Sequence, residues 1–183
     1  MRRHHFVSTV LLATSLLTLG IRPGVAQVTI PRNPVLPRPR LPQPSLTCPD
    51  PAVQAINFKL LNRTSRFRGQ VQIIGVVRNQ GSAPYQSAPN QQIVALYEQV
   101  PGSPARLVAQ QPFLNLAPGE QVQVIFERDW NSSSPAEGEF PPTYLVTINY
   151  DPDIYIDGNP GNDDCRTTNN RLERSGAAIN TLF

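Results

Sequence analysis

The 183 residues, 39% apolar and 16% charged with a formal net charge of +3, suit one domain with accessory segments. Residues 1–47 hold six arginines and no acid, which leaves 10 of the 16 basic residues against all 13 acidic ones from Cys48 onward, a net of −3. That mildly acidic remainder excludes a basic nucleic-acid footprint. It also contains no histidine, since His4 and His5 are the only two, which excludes Ser-His-Asp and Cys-His catalysis and histidine-based zinc sites.

In chain order, Arg2, Arg3, His4 and His5 head an apolar run of 14 residues, 6–19, that leads to Gly24-Val25-Ala26. A basic head, an apolar stretch and a small-residue end form a secretory signal peptide, residues 1–26, cut after Ala26. The apolar run falls short of the ~20 residues that span a bilayer, so the expectation is an exported chain, periplasmic or extracellular, with no membrane span after signal removal. Nine of the 20 prolines lie between Pro23 and Pro51. Residues 27–47 therefore read as a disordered, extended proline-rich linker.

From residue 53 the pattern changes to short β-rich runs of period 2, bounded by Gly, Pro, Asn or Ser. These are 53–61, 70–79, 92–100, 105–113, 120–130 and 143–151. Val71, Ile73, Gly75 and Val77 share one face of the second run. Val122, Val124 and Phe126 face inward from the fifth, while Gln121, Gln123 and Glu127 face outward. Tyr144, Val146, Ile148 and Tyr150 share a face of the sixth. Residues 170–183 read either as a last strand broken at Gly176 or as partly helical. The fold class is all-β: an immunoglobulin-like antiparallel sandwich of about seven strands over residues 48–183.

Two cysteines in an exported chain point to a disulfide. If successive strands run antiparallel, Cys48, before the first strand, and Cys165, after the sixth, fall at the same end. A Cys48–Cys165 bond is thus expected, and closing so long a loop stabilises by ~4–5 kcal/mol in the chain-entropy model.

Three motifs carry candidate chemistry. The run "DPDIYIDGNPGNDD" brings Asp151, Asp153, Asp157, Asp163 and Asp164 into one loop. Asp-x-Asp spacing with further oxygens suits calcium, although Ile156 stands where an EF-hand needs glycine. The competing reading is a long loop whose Asp and Asn side chains cap its own backbone. Glu127 and Asp129 share a strand face, with Glu137 and Glu139 in the following loop, and form the remaining basis for a carboxylate-based envelope hydrolase. Lys59, the single lysine, has no serine partner in view. Trp130, Tyr97, Tyr144, Tyr150 and Tyr155 are the pool for a sugar-stacking platform; most belong to core positions, and Tyr155 is the exposed one.

The stretch "VVRNQGSAPYQS", followed by "LAPGEQVQVIFERDW" and "TYLVTINYDPDIYIDGNPGNDDCRTTNN", resembles bacterial immunoglobulin-like modules of the CARDB type (cell-adhesion-related domain found in bacteria). The likeness runs from about residue 53 to 170. It implies a turn out of the second strand at Asn79-Gln80-Gly81, with Gly81 supplying a positive φ and Asn79 bonding its own turn. It also implies a non-catalytic module that engages a protein or polysaccharide at the cell envelope and needs no cofactor. A calcium-dependent binding or stability module is the alternative.

Overall fold

A computed structural model of the chain describes residues 47–133 and 140–183. The signal segment, the proline-rich linker up to residue 46, and Glu137 and Glu139 lie outside the described residues. Seven long strands form: β1 (Pro51–Arg63), β2 (Arg68–Asn79), β4 (Gln92–Gln99), β5 (Arg106–Pro112), β7 (Gln121–Asn131), β8 (Thr143–Tyr150) and β9 (Arg171–Ser175). Two further strands, β3 (Tyr85–Gln86) and β6 (Asn115–Leu116), are two residues each and pair only with one another. A stretch of two residues is too short to show a period in the sequence.

The long strands make two antiparallel sheets, β1-β2-β7 and β5-β4-β8-β9. Their inner faces meet in one core: Val71, Ile73, Val77 and Val124 from the first sheet, Val94, Leu96, Tyr144 and Val146 from the second. This is the sandwich expected from the alternation, and the inward positions of β2, β7 and β8 are the ones that the period assigns. Burying each such side chain stabilises by roughly 1.5–3 kcal/mol. Gly75 lets the two sheets approach closely: a Cβ there would come 2.6 Å from Val146 Cγ2 and 2.8 Å from Val124 Cγ1.

β1 is longer than its alternating stretch because it bends twice. Its register with β2 shifts between Val53 and Ala55 and again between Leu60 and Asn62, as β-bulges do. The segment after β8 resolves the two readings of residues 170–183 by using both. β9 ends at Ser175, whose Oγ accepts from Ala177 N at 3.2 Å, and a 3-10 segment, Gly176–Leu182, follows. It covers one end of the core by burying Ile179, while Asn180 Oδ1 accepts from Trp130 Nε1 at 2.8 Å.

The turn out of β2 differs from expectation in one respect. Positive φ among the described glycines occurs at Gly102, Gly119 and Gly158, not at Gly81. Gly81 is required by space instead: a Cβ would stand 2.2 Å from Cys48 O and 2.6 Å from Asp50 N. Gly119, at φ +83°, closes the Ala117-Pro118-Gly119-Glu120 turn, in which Glu120 N donates to Ala117 O at 2.9 Å. Proline followed by positive-φ glycine is the type II arrangement.

Candidate functional site

Cys48 and Cys165 are bonded, across a sequence separation of 117 residues, with their Cα atoms 6.2 Å apart. Cys165 N donates to Pro49 O at 3.1 Å. Asn79, fully buried, holds the same end together. Its Oδ1 accepts from Asp50 N and Gly81 N, each at 3.0 Å, and its Nδ2 donates to Ala83 O and Leu116 O, each at 2.8 Å. One carboxamide thus ties the start of β1, the turn after β2 and the short β6. The expected bond to its own turn is present, but the ties to β1 and β6 are what the sequence does not show.

The acidic loop after β8 folds back on the segment before β4. Asp157 Oδ2 accepts from Gln91 Nε2 at 2.9 Å and Asn162 Nδ2 at 2.7 Å, and its Oδ1 accepts from Asn159 N at 2.8 Å. These bonds, that from Asn162 first, hold its carboxyl below the usual aspartate range. Asp164 is buried. It accepts from Tyr150 OH at 3.0 Å, Asn170 Nδ2 at 2.7 Å and Arg166 N at 2.9 Å. Burial and the nearby Asp50 outweigh those bonds and push its carboxyl up. Asp151 and Asp153 are exposed. Among the described residues, no three acidic, histidine or cysteine side chains form a group able to hold a metal, so the five aspartates do not converge as carboxylates. The loop caps itself in the way the competing reading describes: Gly161 N donates to Asn159 Oδ1, and Asn159 Nδ2 donates to Gln86 O, each at 3.0 Å. Tyr155 and Ile156 stand out at its tip, 47% and 83% exposed.

The opposite end has a different chemistry. Glu98 on β4 is 5% exposed, yet it occupies an inward position in line with Gln92, Val94 and Leu96. Its Oε2 accepts from Arg106 Nη2 at 3.1 Å, and its Oε1 accepts from Tyr144 OH at 3.0 Å and from Arg128 Nη1. Arg128 comes from β7, so the pair joins the two sheets, and its guanidinium also lies over the Trp130 ring, 5.4 Å from the centroid. Burial works to raise the Glu98 carboxyl, but the charge of Arg128 and the bonds from Arg128, Arg106 and Tyr144 bring it below the ordinary value of 4.5. Burial, with Glu98 beside it, pushes the Tyr144 hydroxyl up. An acid at an inward position of an alternating strand was the available signal for this cluster.

Next to it an open cleft of about 650 Å³ surrounds the β1–β2 turn. Asn62, Thr64, Arg68, Gln70, Arg128, Asp129 and Trp130 line it. Arg66, in the turn, stacks on the ring of Phe67, which is 48% exposed. The candidate acid pair Glu127 and Asp129 lies on the outer face of the three-stranded sheet, where Glu127 Oε1 accepts from Gln72 Nε2 at 2.8 Å. Of the aromatic pool, Trp130 and Tyr144 are buried, Tyr97 and Tyr150 half-buried, and Tyr155 exposed.

The fold and these two ends define an all-β antiparallel sandwich closed by a disulfide at one end and an inter-sheet ion pair at the other. No family model matches the sequence, and no curated protein matches it. Among solved structures, the chain is similar to β-glucosidase 3B from Thermotoga neapolitana in complex with alpha-D-glucose, at 13% identity and a TM-score of 0.32 over 69% of this chain. It is also similar to the same enzyme in complex with glycerol, at 15% identity and a TM-score of 0.28 over 66% of this chain. It spans 16% of the length of each of those chains. A protein from Archaeoglobus fulgidus shows 14% identity and a TM-score of 0.24 over 53% of this chain and 79% of that one. Among the described residues no helix is long and apolar enough to cross a membrane.

Proposed function

We propose that the chain is an exported, non-catalytic immunoglobulin-like module of the CARDB type that binds a partner at the bacterial cell envelope, with a glycan favoured over a protein. Export follows from the signal-like first 26 residues, and residues 27–47 serve as a proline-rich spacer ahead of the sandwich. The observation that carries the binding role is the cleft beside the β1–β2 turn. Its lining combines side-chain amides (Asn62, Gln70), a hydroxyl (Thr64), a carboxylate (Asp129) and two guanidiniums (Arg68, Arg128). Such groups hydrogen-bond to sugar hydroxyls, and the volume lies within the range of ligand-sized sites. Of the described candidate carboxylates, Asp129 lines this cleft while Glu127 does not and is bonded to Gln72 on the outer sheet face, so the cleft holds one of the pair that hydrolysis uses, which favours binding over turnover.

The test is retention of the exported protein on immobilised envelope polysaccharides and on envelope proteins, compared with Arg68→Ala and Gln70→Ala. Both side chains sit at the rim, so the variants keep the wild-type melting temperature and lose retention on polysaccharide at least tenfold. Equal retention of all three proteins, or turnover of the polysaccharide that Glu127→Gln abolishes, overturns the reading.

A further inference from the structure

The β1–β2 turn, "RTSRFR" (63–68), places three guanidiniums within six residues, all of them exposed. Among the described residues none of Arg63, Arg66 and Arg68 is in an ion pair, whereas Arg106 and Arg128 share Glu98, and Arg171 pairs with Glu173. The Glu98 cluster beside the cleft adds a surplus of its own, two arginines against one carboxylate. Asp129 is the one acid of the cleft lining. Residues 48–183 nevertheless carry a net of −3, from 10 basic and 13 acidic residues. Six of their seven aspartates, 50, 151, 153, 157, 163 and 164, lie at the disulfide end. Positive charge is thus gathered at one end, against the sign of the domain. Such a distribution draws an anion toward the turn and repels it from the opposite end.

The turn is also held still. Thr64 N and Ser65 N donate to Arg68 O at 2.9 and 3.1 Å. Ser65 Oγ accepts from Phe67 N at 3.3 Å and Arg68 N at 3.1 Å. Ser132, just past β7, donates to Phe67 O through its N at 2.7 Å and its Oγ at 3.2 Å. A frame fixed in this way lowers the ordering cost of binding. The side chains are steadied as well: Arg66 lies over the Phe67 ring, 5.2 Å from its centroid, and Arg63 over the Phe183 ring at 5.5 Å. A guanidinium stacked on a ring keeps its N–H edge for a partner, and that planar fork matches a carboxylate or phosphate with two parallel hydrogen bonds.

We propose that the glycan taken by the cleft is an acidic polysaccharide, and that Arg63, Arg66 and Arg68 select it by binding the carboxylate or phosphate groups along its chain. The cleft holds the sugar hydroxyls, and the turn at its rim reads the charge. This rests on the glycan reading and adds the chemical class of the ligand to it.

The experiment uses the exported protein with its disulfide formed. The probes are polygalacturonate and its fully methyl-esterified form, which share a backbone and differ in charge, with a polymer of glycerol phosphate as the phosphate arm. Wild type binds at least one of the two charged polymers at least tenfold more tightly than the ester, and the tighter of the two identifies the oxyanion. That advantage shrinks as salt rises from about 0.05 to about 0.5 M. Arg63→Gln with Arg66→Gln removes at least tenfold of the affinity for the charged polymer and leaves the ester unchanged. Arg63 also bonds Leu182 O, so Arg66→Gln alone repeats the measurement without that contact, with a loss of threefold or more. Arg78→Gln, at the disulfide end, changes the net charge equally and leaves every affinity as it was. Equal binding of charged and esterified polymers overturns the proposal while the glycan reading stands, as does an equal loss in Arg78→Gln. Binding of none of the three polymers, or of phosphatidylglycerol vesicles alone, overturns both.

Discussion

Asn79 shows how much one buried carboxamide can organise. Replacing it with alanine removes four hydrogen bonds at once and leaves the Asp50 and Gly81 amides and two carbonyls without partners. Each stranded group in a buried site costs ~1–3 kcal/mol. Asn79→Ala should therefore lose at least ~3 kcal/mol in urea unfolding, whereas Gln80→Ala, next to it but with a side chain that makes none of those bonds, loses less than ~1 kcal/mol. Glu98 makes the matching case for charge. Its folded pKa lies below its unfolded value, so its stabilising contribution is present above about pH 4.5 and is lost as pH falls through the folded value. Glu98→Gln should lower stability at neutral pH and flatten the acid limb of a stability–pH curve. An unchanged acid limb would show that the inter-sheet pair contributes nothing.

At the scale of elements, alternation in "EQVQVIFERDW" and "TYLVTINYD" carries most of the fold, because one face of each strand is buried and a shift of one residue would turn the wrong face inward. The long strands were legible for that reason, to within two residues at their ends. The 3-10 segment after β9 was legible only as an ambiguity, since "GAAINTL" has neither period. Its worth is tertiary: Ile179 is fully buried and Asn180 satisfies the indole of Trp130. Ile179→Ala should cost ~2–5 kcal/mol, read by thermal unfolding, and should shift Trp130 emission to the red as water reaches the ring. The acidic loop was legible as a structured loop from its Asp, Asn and Gly content. The bonds from Gln91 to Asp157 and from Asn159 to Gln86 were not, because they depend on which neighbour each amide finds across the chain. The polar cleft was hidden for a similar reason: Asn62, Gln70 and Arg128 meet only once three strands are in register.

At the scale of the whole molecule, the disulfide closes residues 48–165 into one covalent ring. Residues 48–165 hold β1 to β8 within the disulfide ring, while β9 and the 3-10 segment lie outside it. Cys48→Ser with Cys165→Ser should lose up to ~4–5 kcal/mol in the chain-entropy model, seen as a lower urea midpoint. The loss should be largest in the amides of the β8–β9 loop when followed by hydrogen exchange, since that loop is held to β1 through Cys165 and Asp50.

The ring also decides where tension goes when the described chain is pulled. Pulled between residue 47 and residue 183, the load enters at Cys48, crosses to Cys165 and never passes along β1 to β8. Only the 18 residues 166–183 can be drawn out, a gain of roughly 60 Å at full extension. Single-molecule pulling of the oxidised protein should show that short step alone, with β1–β8 kept folded under tension. After reduction, the same pull should release a step several times longer.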